Sequence, residues 1–266
     1  MKHIAILAIA AAAAGSATLA FAADVPGNRP ALAPAPAYAP PLFTWTGFYV
    51  GLNAGYGFGQ SNTASYRGNA AYLGQFPNVP QSYKLKRSGF VGGATAGYNV
   101  QSGGFVYGIE GDVDFATSSK SQTVVAPFAT GTAKNQLGAF GTLRARAGLL
   151  VTDRWLAYAT GGLIVGQTKL SSTLVGTGGT FVVGGVPGTW SGSNTKTKAG
   201  WTLGAGTDYA ISNNITAKLE YLYYNLGRST LAVAPTNAVA TASVFRPSLR
   251  QSNNGSIVRA GLNYKF

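Results

Sequence analysis

Five carboxylates and four cations recur at alternate positions on short apolar runs: Glu110, Asp112 and Asp114 in YGIEGDVDF, Arg144 and Arg146 in LRARAG, Asp208 in GAGTDYA, Lys218 and Glu220 in AKLEY, and Arg259 in SIVRAGLNY. On a strand, residues two apart share a face, so each run presents its charges to one side. Catalysis is a poor use for them. The only histidine is His3, the only methionine is Met1, and there is no cysteine. Both His3 and Met1 fall in a segment expected to be removed, which excludes histidine- or cysteine-based nucleophiles and the usual soft or imidazole ligands of zinc, copper and haem. Serine or aspartate chemistry without histidine is all that is left to an enzyme, and no catalytic residue, metal site or cofactor is expected. What the nine charges can do is pair, because an unpaired buried charge is costly. Such pairing serves either as a structural tie or as a gate whose partners exchange.

The strands that carry these charges follow from period-2 alternation. In GFYVGLNAGYGFG, residues 47–59, the face Phe48, Val50, Leu52, Ala54, Tyr56 and Phe58 opposes a face of glycine and small polar residues broken only by Tyr49. A phosphate-cradling loop would need a helix start after its glycines, and Gln60-Ser61-Asn62 follow instead. Eight strands are predicted, over 45–59, 88–100, 105–116, 136–150, 155–167, 198–211, 215–227 and 254–266. In the fourth, Leu137, Ala139, Leu143, Ala145, Ala147 and Leu149 form one face and Thr142, Arg144 and Arg146 the other. The fifth, WLAYATGGLIVG, carries no charge on either face, so alternation does not orient it. Tight turns QSGG, VTDR and SNN follow strands two, four and six, while long Ser/Thr/Gly/Asn-rich loops follow strands one, three, five and seven. Sorting of turns and loops to opposite ends is the habit of outer-membrane barrels, with turns in the periplasm.

The ends of the chain agree. Lys2, the apolar run Ile4–Ala14 and the small-residue site Ala20-Phe21-Ala22 read as a secretory signal peptide over residues 1–22. Residues 23–42, which include PGNRPALAPAPAYAPP, read as an extended Pro/Ala-rich periplasmic tether rather than a partner-binding proline motif. Residues 43–266 then form one all-β unit: an eight-stranded antiparallel up-and-down transmembrane β-barrel with short periplasmic turns and long extracellular loops. So thin a tube has an interior only just wide enough for side chains to fill it. The Phe, Tyr, Trp and Leu set would overfill it and must look out into lipid, which leaves the glycine face and the nine charges inside. A soluble ligand-carrying barrel, with its apolar set inside, has no reason to sort its loops. Counting from the periplasmic ends sets Glu110 and Asp112 near Arg146 and Arg144, and Glu220 near Arg259. Two interfacial aromatic belts are expected: Trp45, Tyr98, Phe105, Trp155, Tyr209 and Tyr264 toward the periplasm, and Phe58, Phe90, Phe115 and Trp201 toward the outside.

The formal net charge is +13. Its surplus lies on the predicted loops, at Arg67, Lys84, Lys86, Arg87, Lys120, Lys134, Lys169, Lys196, Arg228, Arg246 and Arg250, with no acid in those segments. No nucleic-acid fold signature accompanies them, so nucleic acid is not an expected partner. Cations raised into a layer of phosphorylated lipopolysaccharide would attract its anionic groups, and Lys84, Lys86 and Arg87 in SYKLKRSG are the densest candidates. Outer-membrane lipid is the other expected partner, and a monomer the expected state.

The ordered set WTGFYVGLNAGYGFG, YGIEGDVDF, LRARAGLL, LAYATGGLIVG, GWTLGAGTDYAI, LEYLYYNLG and SIVRAGLNYKF resembles the small outer-membrane immunogenic proteins of alphaproteobacteria, grouped with porin-like barrels and similar to the OmpA transmembrane domain. The resemblance spans the mature chain. It implies a surface-exposed antigenic barrel in the cell outer membrane of a Gram-negative bacterium, assembled by the insertion machinery, whose signal Leu262, Tyr264 and Phe266 would carry. Relatives are credited with passive pore activity or haem binding; here a haem contact would have to use tyrosine or stacking. Two functions stand open: a structural and surface-interaction barrel with its lumen largely closed by the charged network, or a small non-specific diffusion pore.

Overall fold

The computed structural model describes residues 43–58, 62–70, 74, 78–85 and 88–266. The signal peptide and tether expected before residue 43 lie outside the described residues, as do Lys86 and Arg87. Eight long strands run in chain order: β1 Gly47–Phe58, β2 Ser88–Ser102, β3 Phe105–Val125, β4 Ala129–Thr152, β5 Trp155–Gly176, β6 Thr189–Ala210, β7 Ile215–Ala232 and β8 Ser248–Lys265. Each pairs antiparallel with its neighbours, and β8 returns to β1 from Lys265↔Tyr49 to Ser256↔Phe58, closing an up-and-down barrel. Closure leaves no free edge among strands that cross lipid, where water cannot satisfy a bare backbone. Among the described residues no helix is long and apolar enough to cross a membrane.

Turn chemistry sets one end. Strands β2 and β3 join through Gly103-Gly104, with Ser102 opposite Phe105, and Gly103 takes φ +58°, a left-handed conformation that favours glycine. Asp153-Arg154 join β4 to β5, and residues 211–214 join β6 to β7. At the other end the connections between strands one, three, five and seven and their successors contain more regular structure than the sequence suggests. The loop expected after strand three is a correction: residues 117–125 and 129–135 continue β3 and β4, leaving only residues 126–128 between them. Serine, threonine and glycine runs look like loop, yet here the barrel simply continues above the apolar band. Strands Asn62–Arg67 and Ser82–Leu85 extend the wall beyond β1 and β2, the first pairing with β8 through Arg67↔Ser248, Tyr66↔Leu249 and Ser65↔Arg250. A short helix, Ala238–Ala242, is capped by Asn237, whose Oδ1 accepts from Ala240 N at 3.0 Å.

The faces are as the volume argument requires. Leu52 is 71% exposed, Ile109 62% and Leu143 62%, all on the outer surface, whereas Glu110 and Arg144 are 1% exposed. Residues 155–167, the uncharged stretch of β5, orient with Leu156, Tyr158, Thr160 and Ile164 inward and Trp155, Leu163 and Val165 outward. Two outward assignments are corrected. Leu137 is buried in the lumen, because the β3–β4 register shifts between Phe115 and Ser118, the β4–β5 register shifts between Leu137 and Phe140, and the parity of β4 reverses there. Trp45 does not join the periplasmic belt: it is 2% exposed, its Nε1 donating to the Asp153 carbonyl at 3.2 Å. It precedes β1, so strand parity does not govern it. The other nine belt aromatics are exposed on the outer surface.

Candidate functional site

Four barrel strands, β3, β4, β7 and β8, carry eight of the nine inner charges, and β6 adds Asp208. Register alone sets Glu110 opposite Arg144, and Glu220 opposite Arg259. The curvature of a narrow tube then brings in partners from strands that are not neighbours. Arg144 contacts Glu110 at 2.5 Å, Asp112 at 2.7 Å and, across the lumen, Glu220 at 2.7 Å. Arg259 reaches Asp112 at 2.9 Å, Asp114 at 3.1 Å and Glu220 at 2.7 Å. Arg146 joins Asp208 at 2.7 Å and Glu110 at 3.4 Å, and Lys218 binds Glu110. The nine residues therefore form one connected network, with every side chain at most 2% exposed. The guanidinium geometry suits this: five donors in a planar fork can serve several carboxylates at once.

Neutral groups complete the shell. Tyr49, the residue that interrupts the small-residue face of β1, donates from Oη to Glu110 Oε2 at 2.6 Å and accepts from Arg146 Nη1 at 3.0 Å. Thr142 donates to Asp112 at 2.6 Å, Thr95 also donates to Asp112, and Thr160 accepts from Arg144 at 3.1 Å. The Arg146 guanidinium lies 3.9 Å from the centre of the Tyr158 ring. Sequence reasoning missed these partners; Tyr49 was visible as an exception to its own pattern, while the threonines look like any small inner residue.

Glycine makes the space. Gly97 pairs with Glu110, Gly93 with Asp114, Gly162 with Arg144, Gly108 with Arg146, Gly206 with Glu220, Gly261 with Lys218 and Gly55 with Arg259. A Cβ on Gly162 would stand 2.1 Å from the Leu143 carbonyl oxygen and 2.7 Å from Arg144 Cα. Side chains there would collide with the very strand that holds the arginine.

The charges are bounded above and below by apolar groups that the sequence reading did not place inside. On the periplasmic side lie Trp45, Val106, Leu156, Tyr158 and Ala210. On the outer side lie Val91, Leu137, Phe140, Ile164, Leu222, Tyr224, Leu226 and Ile257. Farther out, beyond buried Asn135, Thr168, Ser172, Gln251 and Asn253, a second cluster fills the extension of the barrel around Tyr66, Leu170, Leu174, Phe181, Trp190, Phe245 and Leu249. Of the other predicted sites, Lys84 is an exposed residue of the strand Ser82–Leu85. Leu262, Tyr264 and Phe266 line the outer surface at the periplasmic end of β8, Phe266 donating its backbone N–H to the Phe48 carbonyl at 3.0 Å.

The family described as "Outer membrane protein beta-barrel domain" matches residues 30–266. The 31 kDa outer-membrane immunogenic protein of Brucella melitensis biotype 1 is 40% identical over 270 residues, all of both chains. The 25 kDa outer-membrane immunogenic protein of Brucella abortus biovar 1 is 28% identical over 93% of this chain and 91% of its own length. Among solved structures, Neisserial surface protein A is similar over 83% of this chain and 98% of its own, at 14% identity and a TM-score of 0.32. Neither Brucella relative carries an enzymatic name. The chain belongs to the outer-membrane β-barrel family, and its place is the outer membrane of a Gram-negative bacterium.

Proposed function

We propose that the protein is a structural and surface-interaction barrel, without catalysis, whose lumen is closed and whose outer cations, Lys84, Lys86 and Arg87 among them, contact lipopolysaccharide. The observation that carries the closed lumen is the stacking of one connected charge network between two apolar layers. An ion entering from the periplasm would first displace Trp45 and Leu156, then break paired charges, then pass Phe140, Leu222 and Ile257, with no hydrated side chain to replace its own water at the last step. The relatives' names, which call them immunogenic, support a surface that meets antibodies.

Refolded protein in a planar bilayer separates this reading from a diffusion pore. The expected record is a quiet baseline with brief, irregular events. Long-lived steps whose size scales with bulk salt conductivity would establish the pore and reject the closed lumen.

A further inference from the structure

Acidic residues occur at only seven positions, Asp24, Glu110, Asp112, Asp114, Asp153, Asp208 and Glu220. Five belong to the lumen network, Asp153 sits in a periplasmic turn and Asp24 precedes the barrel. The outer extension therefore holds many cations and not one carboxylate to neutralise them. Where several of those cations converge on a cavity, the counter-ion must come from outside the chain.

They converge on β7, β8 and the strand Asn62–Arg67. Arg250 pairs with Ser65 on one side and Thr230 on the other. Arg67 lies two residues beyond Ser65, and Arg228 two residues before Thr230, so each is a diagonal neighbour of Arg250 at about 7–8 Å on the sheet. All three side chains are exposed. They line one cavity of about 200 Å³ together with Ser65, Gln251 and Ser252. A bulge between Asn225 and Arg228 shapes its lower edge, where Lys198 Nζ donates to the Arg228 carbonyl. Gln251 lies between Arg250 and Ser252 on β8 and is 1% exposed, so its side chain turns to the inner face of the barrel, opposite the three guanidinium groups, and the cavity itself is rimmed by arginine and serine.

We propose that Arg67, Arg228 and Arg250 form a phosphoryl-binding site for lipopolysaccharide. Arginine forks match phosphate oxygens two at a time, and three of them at this spacing suit a phosphomonoester or diphosphate. Height selects the source. Arg228 lies five residues above Tyr223, and Arg250 eight above Val258, the last outward apolar residue of β8. At about 3.4 Å per residue and the tilt of barrel strands, the site stands roughly 10–20 Å above the hydrocarbon edge. That is the level of the phosphorylated headgroup and inner-core sugars of an outer-leaflet glycolipid. This site rests on the lipopolysaccharide-contact reading above and gives it residues.

The test titrates refolded protein in detergent with rough lipopolysaccharide and, separately, with inorganic pyrophosphate. R67Q/R228Q/R250Q is compared with K134Q/K196Q/R246Q, which removes the same charge from elsewhere on the extension, and unheated gel migration checks that each variant folds. The first variant is expected to weaken lipopolysaccharide binding about tenfold or more and the second less than about threefold. Pyrophosphate is expected to bind the wild type far more weakly than lipopolysaccharide; equal affinity would assign the site to free phosphates instead. Equal losses in the two variants, or no loss in the first, would overturn the site while leaving lipopolysaccharide contact standing. A wild type that does not bind lipopolysaccharide would overturn both.

Discussion

Arg144→Ala is expected to lower unfolding stability by about 3–5 kcal/mol, the penalty for stripping one partner from buried charges. Arg144 serves Glu110, Asp112 and Glu220 at once, and alanine leaves the five carboxylates of the network with three cations instead of four in a space that excludes water. Arg259 and Lys218 already hold partners of their own and cannot move without releasing them. Arg144→Lys retains the charge but not the fork, so it should fall between alanine and wild type. Urea titration of refolded protein in lipid vesicles, followed by tryptophan emission, measures the difference. Alanine within about 1 kcal/mol of wild type would mean that the network contributes little to holding the barrel shut.

The second large effect is expected outside the membrane. Trp190 is fully buried in the outer cluster, its ring 5.6 Å from Phe181, which in turn stacks on Phe245 at 4.4 Å. Trp190→Ala should cost about 3–5 kcal/mol through lost burial and the cavity left behind. Among the described residues its indole N–H has no hydrogen-bond partner, so Trp190→Phe forfeits only packing and should cost clearly less. The damage should also be local, because the outer cluster and the charged lumen are separate layers joined by strands. Limited proteolysis is expected to cut the alanine variant within residues 177–188 and 233–247 while its unheated gel migration stays that of a folded barrel. Loss of both together would show that the extension and the membrane barrel fold as one unit.

Much of this was readable in the residues, and what was not has physical causes. Alternation reports faces wherever one face meets lipid, since there every outward residue must be apolar; Phe105, Tyr107, Ile109, Val113 and Phe115 against Glu110, Asp112 and Asp114 leave one solution. The signal fades above the apolar band. On residues 117–135 the outer face meets water and the inner face holds Ala129, Gly131 and Ala133, so the contrast between faces falls and a strand looks like loop. Parity also fails at a bulge, which is how Leu137 and Phe140 come to share the lumen although they lie an odd three positions apart. For the charges, register gives partners on adjacent strands, as with Glu220 and Arg259. It does not give Arg144 with Glu220 or Arg146 with Asp208, because those contacts span the tube and exist only once it closes. The arginines at the outer cavity are separated by up to 183 positions in sequence, Arg67 to Arg250, and only the pairing of β8 with residues 62–67 brings them together.

The absence of cysteine from the chain makes the inside-out arrangement directly measurable with single thiols. Leu143 and Thr142 are neighbours on β4, the first 62% exposed and the second 8%. A fluorophore attached at Leu143→Cys should be quenched by nitroxide-bearing phospholipid in the folded protein, and the thiol of Thr142→Cys should stay unreactive until denaturant opens the barrel. Quenching by lipid at position 142, with position 143 protected or open only to a water-soluble reagent, would contradict the account at its root.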